Sequence, residues 1–541
     1  MWISVVVGAG GLLGHALAAP DIHAKRSVLS DLSNGFYHSW KFGSVITNNI
    51  LHLNGLDGGL LPGDSNANNT YLVNVDLTKA FNLSDGSAYK LSVIPTSVPN
   101  LKDQALWSSQ DNSTLFAYGG RGASNTALDN GLWEYDLKNQ QWNLQTTSVK
   151  PVRLEGGSHA NAPSINAAFW VGGFQSSDTT PAITNATLEF ATGMLRFNTS
   201  TQSVDSLPAP FTPVQNGALN FLNIGGGLLV YIGGETPEKQ NGINMTFTVN
   251  DWNHVWVYSI AYSAWFNQST SGNAPSRTDF CTVSTFDDST KTFQIWVMGG
   301  ADFNSRNVLS DVSFLSIPSF RWYQAIPTQG LYSRMSMSCE VYGSQILGIG
   351  GRLEWDEGAG AGSYGTPAFV YDANQQEVVS SFRPSATSYS APSSVTDNVM
   401  TSPYPSSWAD PTLRAIFVSP APSPSPPPSS SSPQATTLQS DSNGLGGGAI
   451  AGAVIGGIAA LTLSSALVWF LMRRRRQWQQ RALADAKSKE GHPTDHNAVP
   501  AEVHGDALPY EFDATAARSE LDATQKFVQL PSDELPRHEL A

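Results

Sequence analysis

The stretch LFAYGGRGASNTALDNGLWEYDLKNQQW, Leu115–Trp142, decides the fold of this chain. An apolar run stops at the doublet Gly119-Gly120, and Tyr135 is followed seven residues later by Trp142. One hairpin could read this way, and so could one copy of a repeat. Four further doublets end apolar runs: Gly172-Gly173 (AAFWVGG), Gly233-Gly234 (LLVYIGG), Gly299-Gly300 (FQIWVMGG) and Gly350-Gly351 (QILGIGG). Successive doublets lie 53, 61, 66 and 51 residues apart, which is the spacing of a repeat array. After each comes a second strand-like run whose fourth residue is Tyr135, Phe197, Tyr258, Leu315 or Tyr371. Seven positions further on stand Trp142, Val204, Trp265, Trp322 and Val378. A weaker first copy is NILHLNG (49–55) followed by TYLVNVDL (70–77), with Asn54-Gly55 in place of the doublet.

This pattern resembles the kelch repeat: apolar strand, Gly-Gly, variable loop, aromatic residue, and a tryptophan several residues later. Six copies span residues 36–383. Copy one lacks the doublet, and copies one, three and six lack the tryptophan. The resemblance implies an all-β fold, a six-bladed kelch-type β-propeller. Physical reasoning leads the same way. Each copy holds short runs rich in Val, Ile, Phe, Tyr and Trp bounded by turn residues, which reads as antiparallel sheet. One such sheet cannot cover both of its faces, so copies must stack. The doublets mark places where backbones crowd and a Cβ would obstruct. The aromatic and tryptophan positions read as core between neighbouring blades. Ring closure is open: residues 415–418 or 36–42 could each supply a strand to an end blade.

Two segments set the address. Residues 1–19 form an uncharged apolar run ending in Ala16-Leu17-Ala18, which reads as a secretory signal peptide. Residues 449–472 hold 24 residues without a charge. As a helix they reach ~36 Å, against a hydrocarbon core of ~30 Å. Arg473-Arg474-Arg475-Arg476 follow directly, placing the C-terminal side in the cytoplasm. The expected organisation is a signal peptide (1–19), propeller (20–400), Pro/Ser-rich stalk (401–443), transmembrane helix (449–472) and disordered cytoplasmic tail (473–541). The span and its arginines look like the membrane segment of fungal cell-wall stress sensors and related surface proteins. Gly448, Gly452 and Gly456 repeat every fourth residue on one helix face and suggest a homodimer. The tail's repeated Glu-Leu and Leu-Pro pairs suggest a cytoplasmic partner, or simple low complexity.

Seven N-x-S/T sequons, at Asn68, Asn82, Asn112, Asn185, Asn198, Asn244 and Asn267, all precede the span and are candidate N-glycosylation sites. The two cysteines, Cys281 and Cys339, lie in the runs before the doublets of copies five and six. In an exported domain they read as a disulfide, against the alternative of two buried thiols. The formal net charge is −14, of which residues after Met472 contribute −2. A nucleic-acid partner is therefore not expected, since it requires a cationic face.

The loops after the doublets are the long ones, and with the inter-blade links they emerge at one end of the propeller. Five arginines fall near that rim: Arg121 and Arg352 just after doublets, and Arg153, Arg277 and Arg334 just before inner strands. Guanidinium forks suit carboxylates or sugar hydroxyls, and they equally suit local carbonyls. The expected partner is an extracellular protein or glycan, at the plasma membrane, with the N-terminal part outside. Copper oxidases resembling galactose oxidase share the scaffold, so a membrane-anchored oxidase or other carbohydrate-active enzyme is the alternative. Such an oxidase needs paired histidines and tyrosines around copper, and the exported part offers only His23, His38, His52, His159 and His254. No catalytic set, metal or cofactor is therefore expected, and His159 reads as a polar residue of an inner strand.

Overall fold

The computed structural model describes residues 32, 40–55, 71–99, 101–122, 131–325, 333–355 and 368–418. Within them the chain builds six four-stranded antiparallel sheets in strict sequence order. The second sheet shows the pattern: Lys102–Ser108, Thr114–Arg121, Leu132–Asp136 and Gln141–Gln145, each pairing only with its neighbour in the chain. The first strands of the six sheets begin at Gly43, Lys102, Ser158, Ala218, Cys281 and Ser338. Each of these strands packs against the next, and the sixth packs against the first. The circle is closed, an arrangement consistent with a β-propeller of six blades.

Apolar burial divides accordingly into six cores, one at each seam between blades. Leu72 and Val45 of blade 1 meet Leu115 and Tyr135 of blade 2. Trp107 and Phe116 meet Trp170 of blade 3, and Leu347 and Val370 of blade 6 meet Leu51 and Val73 of blade 1. Because neighbours cover both faces, the second strands are buried almost throughout, and Ala167–Val171 and Leu228–Ile232 along their whole length. This explains why the runs before the doublets read as continuous apolar stretches. A fully buried side chain of this size contributes about 1.5–3 kcal/mol.

The seven-residue spacing has a simple origin. Tyr135 stands directly opposite Trp142 across the outer hairpin, and the same register pairs Phe197 with Val204 and Tyr258 with Trp265. Leu315 with Trp322 and Tyr371 with Val378 complete the set. In two of these pairs the ring centroids are 5.0 Å apart. The doublets earn their glycines through geometry. Gly172 has φ +67°, and a Cβ there would lie 2.3 Å from the Val214 carbonyl oxygen of the next blade. Gly299 repeats this against Arg334, at 2.1 Å.

Among the described residues, neither 40–42 nor 415–418 lends a closing strand; residues 36–39 lie outside them. Blade 6 is complete within Ser338–Val379, and blade 1 within Gly43–Val93. Residues 415–417 instead belong to a short helix, Pro411–Phe417, capped by the Asp410 side chain on the Thr412 amide. Its Leu413 is fully buried in the core between blades 4 and 5. The folded unit therefore runs past 400, and residues 401–418 are not stalk. A second helix, Ser393–Thr401, buries Val395 against blades 5 and 6. No helix among the described residues is long and apolar enough to cross a membrane. The signal peptide, the span at 449–472, Gly448, Gly452, Gly456, the tail, residues 419–443 and Asn68 lie outside the described residues.

Candidate functional site

The inner strands surround a central cavity of about 330 Å³. Its construction starts with one residue per blade, just before each inner strand or at its start: Lys41, Asp103, Gly156, Asn216, Asp279 and Ser336. All six have φ between +49° and +67°. That left-handed region favours Gly, Asn and Asp, which fill four of the six places. The bend turns each backbone toward its neighbour. Lys41 donates its N–H to the Ser336 carbonyl at 2.9 Å, and Asp103 to Lys41 at 3.0 Å. Asn216 donates to Gly156 at 2.9 Å, Asp279 to Asn216 at 3.1 Å, and Ser336 to Asp279 at 2.7 Å. Gly156 completes the circuit through the Asp103 carboxylate at 3.0 Å. Six blades thus share one ring of hydrogen bonds at the doublet end of the channel.

The sequence carries a signal for this ring that the doublets do not show. Two places after each of these residues stands a small one: Gly43, Ala105, Ser158, Ala218, Cys281 and Ser338. Inner strands converge on a narrow axis, and only small side chains fit there.

Inside the cavity the lining is polar and mostly uncharged. Ser44 donates to Glu340 at 2.7 Å. Burial pushes the Glu340 carboxyl up to about 7. Burial likewise holds the His159 imidazole down at about 4, so it is neutral at physiological pH. Its ring stacks on Trp170 with centroids 6.1 Å apart. Asn220 is 6% exposed, and its amide nitrogen Nδ2 has no hydrogen-bond partner. Buried polar groups are ordinarily paired. Asn220 therefore places an unsatisfied donor in the wall of the cavity.

Around the mouth, Glu155 accepts from Ser176 at 2.6 Å and lies 3.5 Å from Arg121. Burial pushes the Glu155 carboxyl up to about 7. Glu235 is raised for the same reason, and it accepts from Gln215 at 2.8 Å and from Thr278.

The five arginines do not form one exposed rim. Arg277 is fully buried: its guanidinium grips Asp311 at 2.8 and 2.6 Å, donates to the Gly299 carbonyl at 3.0 Å, and lies over Trp252. Arg334 is 1% exposed, donates to the Gly350 carbonyl at 2.9 Å and lies over Phe369. Arg153 is also 1% exposed. Arg277 and Arg334 tie the doublet carbonyls into the scaffold, because a buried guanidinium needs fixed acceptors. Arg352, 4% exposed, donates to Trp355 and reaches Asp279 at 3.8 Å. Of the five, Arg121 alone is substantially open to solvent. Linear sequence gives the charge but not its depth, so the rim was overcounted and Asn220 and Glu340 were missed.

Cys281 and Cys339 are joined as a disulfide across blades 5 and 6, with Cα atoms 5.6 Å apart. Among the described sequons, Asn82, Asn112, Asn185, Asn244 and Asn267 are exposed and Asn198 is half-buried.

Comparison with known proteins bears on both halves of the chain. Residues 450–485 match the family model of the epidermal growth factor receptor transmembrane-juxtamembrane segment. A solved structure described as "Structure of YjhT" aligns with a TM-score of 0.45 at 14% identity, covering 64% of this chain and 98% of that one. A "Kelch repeat-containing protein" of Arthroderma benhamiae is 26% identical over 417 residues, covering 67% of this chain. The match spans 60% of that relative, less than two thirds of its length. With its five glycine doublets and this relative, the chain is a homologue of a kelch repeat-containing protein.

Proposed function

We propose that this protein is a single-pass cell-surface glycoprotein whose kelch-type propeller binds an extracellular protein or glycan at the doublet end of its channel. The observation that carries the reading is the cavity itself. Asn220 presents an unpartnered donor, His159 a neutral imidazole and Glu340 a carboxyl that burial favours in its neutral form. Neutral hydrogen-bonding groups inside the cavity of a rigid scaffold suit a hydroxyl-rich or amide-bearing guest, and disfavour a highly charged one. Export and anchoring are supported by the apolar segments at 1–19 and 449–472 and by the match at residues 450–485. The sequons, all on the N-terminal side of that segment, support the same orientation. Binding rather than catalysis is the reading we favour.

A glycan array probed with the purified full-length chain tests the site. Asn220→Ala combined with Glu340→Gln is expected to weaken binding by tenfold or more, the effect of losing one or two buried hydrogen bonds. Unchanged binding by that variant removes the cavity from the account. Antibody access to the C-terminus on intact cells would overturn the orientation.

A further inference from the structure

We infer that the glycan attached at Asn267 folds back onto its own blade, its first N-acetylhexosamine lodging in a pocket on the face of blade 4. This inference rests on the export reading above, since only an exported chain meets the modifying enzyme. Asn267 lies in the outer strand Ala264–Ser269, directly opposite Trp256 in the antiparallel register. Directly opposed side chains share one face, with Cβ atoms about 4.5–5.5 Å apart. On that face a second cavity of about 210 Å³ is lined by Asn267 itself and by Phe211, Tyr231, Asn250, Asp251, His254 and Trp256.

The pocket has the chemistry of a pyranose site. Phe211 and Trp256, with ring centroids 5.3 Å apart, are both half-buried and leave aromatic surface for the C–H side of a sugar ring. Asp251 and His254 are exposed, and with Asn250 they supply polar groups for hydroxyls and an acetamide. The aromatic patch would otherwise stand beside an exposed outer strand. Asn112, Asn185, Asn198, Asn244 and Asn82 line neither this pocket nor the central cavity. In the attachment, Asn267 Nδ2 bonds to the anomeric carbon of the first sugar as that carbon's bond to the diphosphate of a lipid-linked oligosaccharide donor breaks. The amide loses one proton and the lipid diphosphate departs.

The test uses the full chain expressed in a eukaryotic host behind a heterologous secretion leader. Glycopeptide mass spectrometry reports occupancy. An amidase that cuts the Asn–sugar bond then reports shielding. On the native protein, release from Asn267 is expected to be roughly tenfold slower than from Asn112 and Asn185, and equal to them after denaturation. Trp256→Ala should bring Asn267 to the rate of the other two sites. Asp251→Ala and His254→Ala alter exposed side chains only and should each move it in the same direction. Equal native rates in the unsubstituted protein overturn the inference, and so does an unmodified Asn267. If Asn112 and Asn185 are modified while Asn267 is not, the export reading stands. If all three are bare, it falls too.

Discussion

The seam between blades 5 and 6 and the seam between blades 6 and 1 place different chemistry at the same point of the ring. Counted from the left-handed residue of each blade, Cys281 is second after Asp279 and Cys339 is third after Ser336. At the closing seam the equivalent positions are Ser338, second after Ser336, and Ser44, third after Lys41. The first pair is a disulfide and the second a hydrogen bond, between residues 294 apart in the chain. The closing seam adds Glu340 on Ser44, the backbone bond from Lys41 to Ser336, and a two-stranded sheet joining Phe81–Asn82 to Ser381–Phe382. A ring whose ends are joined without covalent help closes through many modest contacts that all depend on register. Both seams share the backbone ring; one adds a covalent bond to it, the other a set of hydrogen bonds and a small sheet.

Breaking the scaffold beside the covalent seam should have the largest effect. Arg277→Ala leaves Asp311 without its partner and the Gly299 carbonyl without one of its donors, and is expected to cost about 3–5 kcal/mol. Denaturant unfolding followed by tryptophan fluorescence measures it, and a loss below 1 kcal/mol would show that the guanidinium is dispensable. Next comes the bond itself. Cys281→Ala with Cys339→Ala should lower stability by about 2–4 kcal/mol without opening the circle. Loss of cooperative unfolding in that double variant would mean that the hydrogen-bonded ring cannot hold the blades alone.

The smallest effect separates the seams by pH. The folded-state pKa of Glu340 is raised from its ordinary value of 4.5 to about 7 by burial. Its contribution is therefore complete below pH 4.5 and lost as pH rises through 7. His52 and His159, lowered by burial to about 4, act oppositely: their contribution is present above pH 6.5 and lost as pH falls through 4. Comparison of Glu340→Gln with the unsubstituted chain isolates the closing seam. The variant should gain relative stability by on the order of 2 kcal/mol between pH 5 and pH 8. Equal differences at both pH values would show that Glu340 does not titrate there.

The two seams also show what the sequence could reveal. Doublets, aromatic pairs and cysteines were legible because each records a short-range demand: a carbonyl at 2.3 Å, a cross-strand neighbour, a Cα separation of 5.6 Å. The left-handed ring was not read, because Lys41 and Ser336 are unusual occupants of that conformation and their φ values are imposed by the neighbouring blade. Leu413 was hidden by the Pro/Ser-rich composition around it, although its helix carries an Asp cap and a Pro start. Arginine depth depends on packing between blades 51–66 residues apart, which local composition does not encode.

A cysteine pair at Ser44 and Ser338 tests the closed ring most directly. Ser44→Cys with Ser338→Cys reproduces at the closing seam the register of the natural disulfide. Proteolysis of the purified full-length variant without reductant, followed by mass spectrometry, should recover a peptide linking positions 44 and 338 alongside the natural Cys281–Cys339 link. Two free, alkylatable thiols at 44 and 338 in folded protein would contradict a closed circle of six sheets.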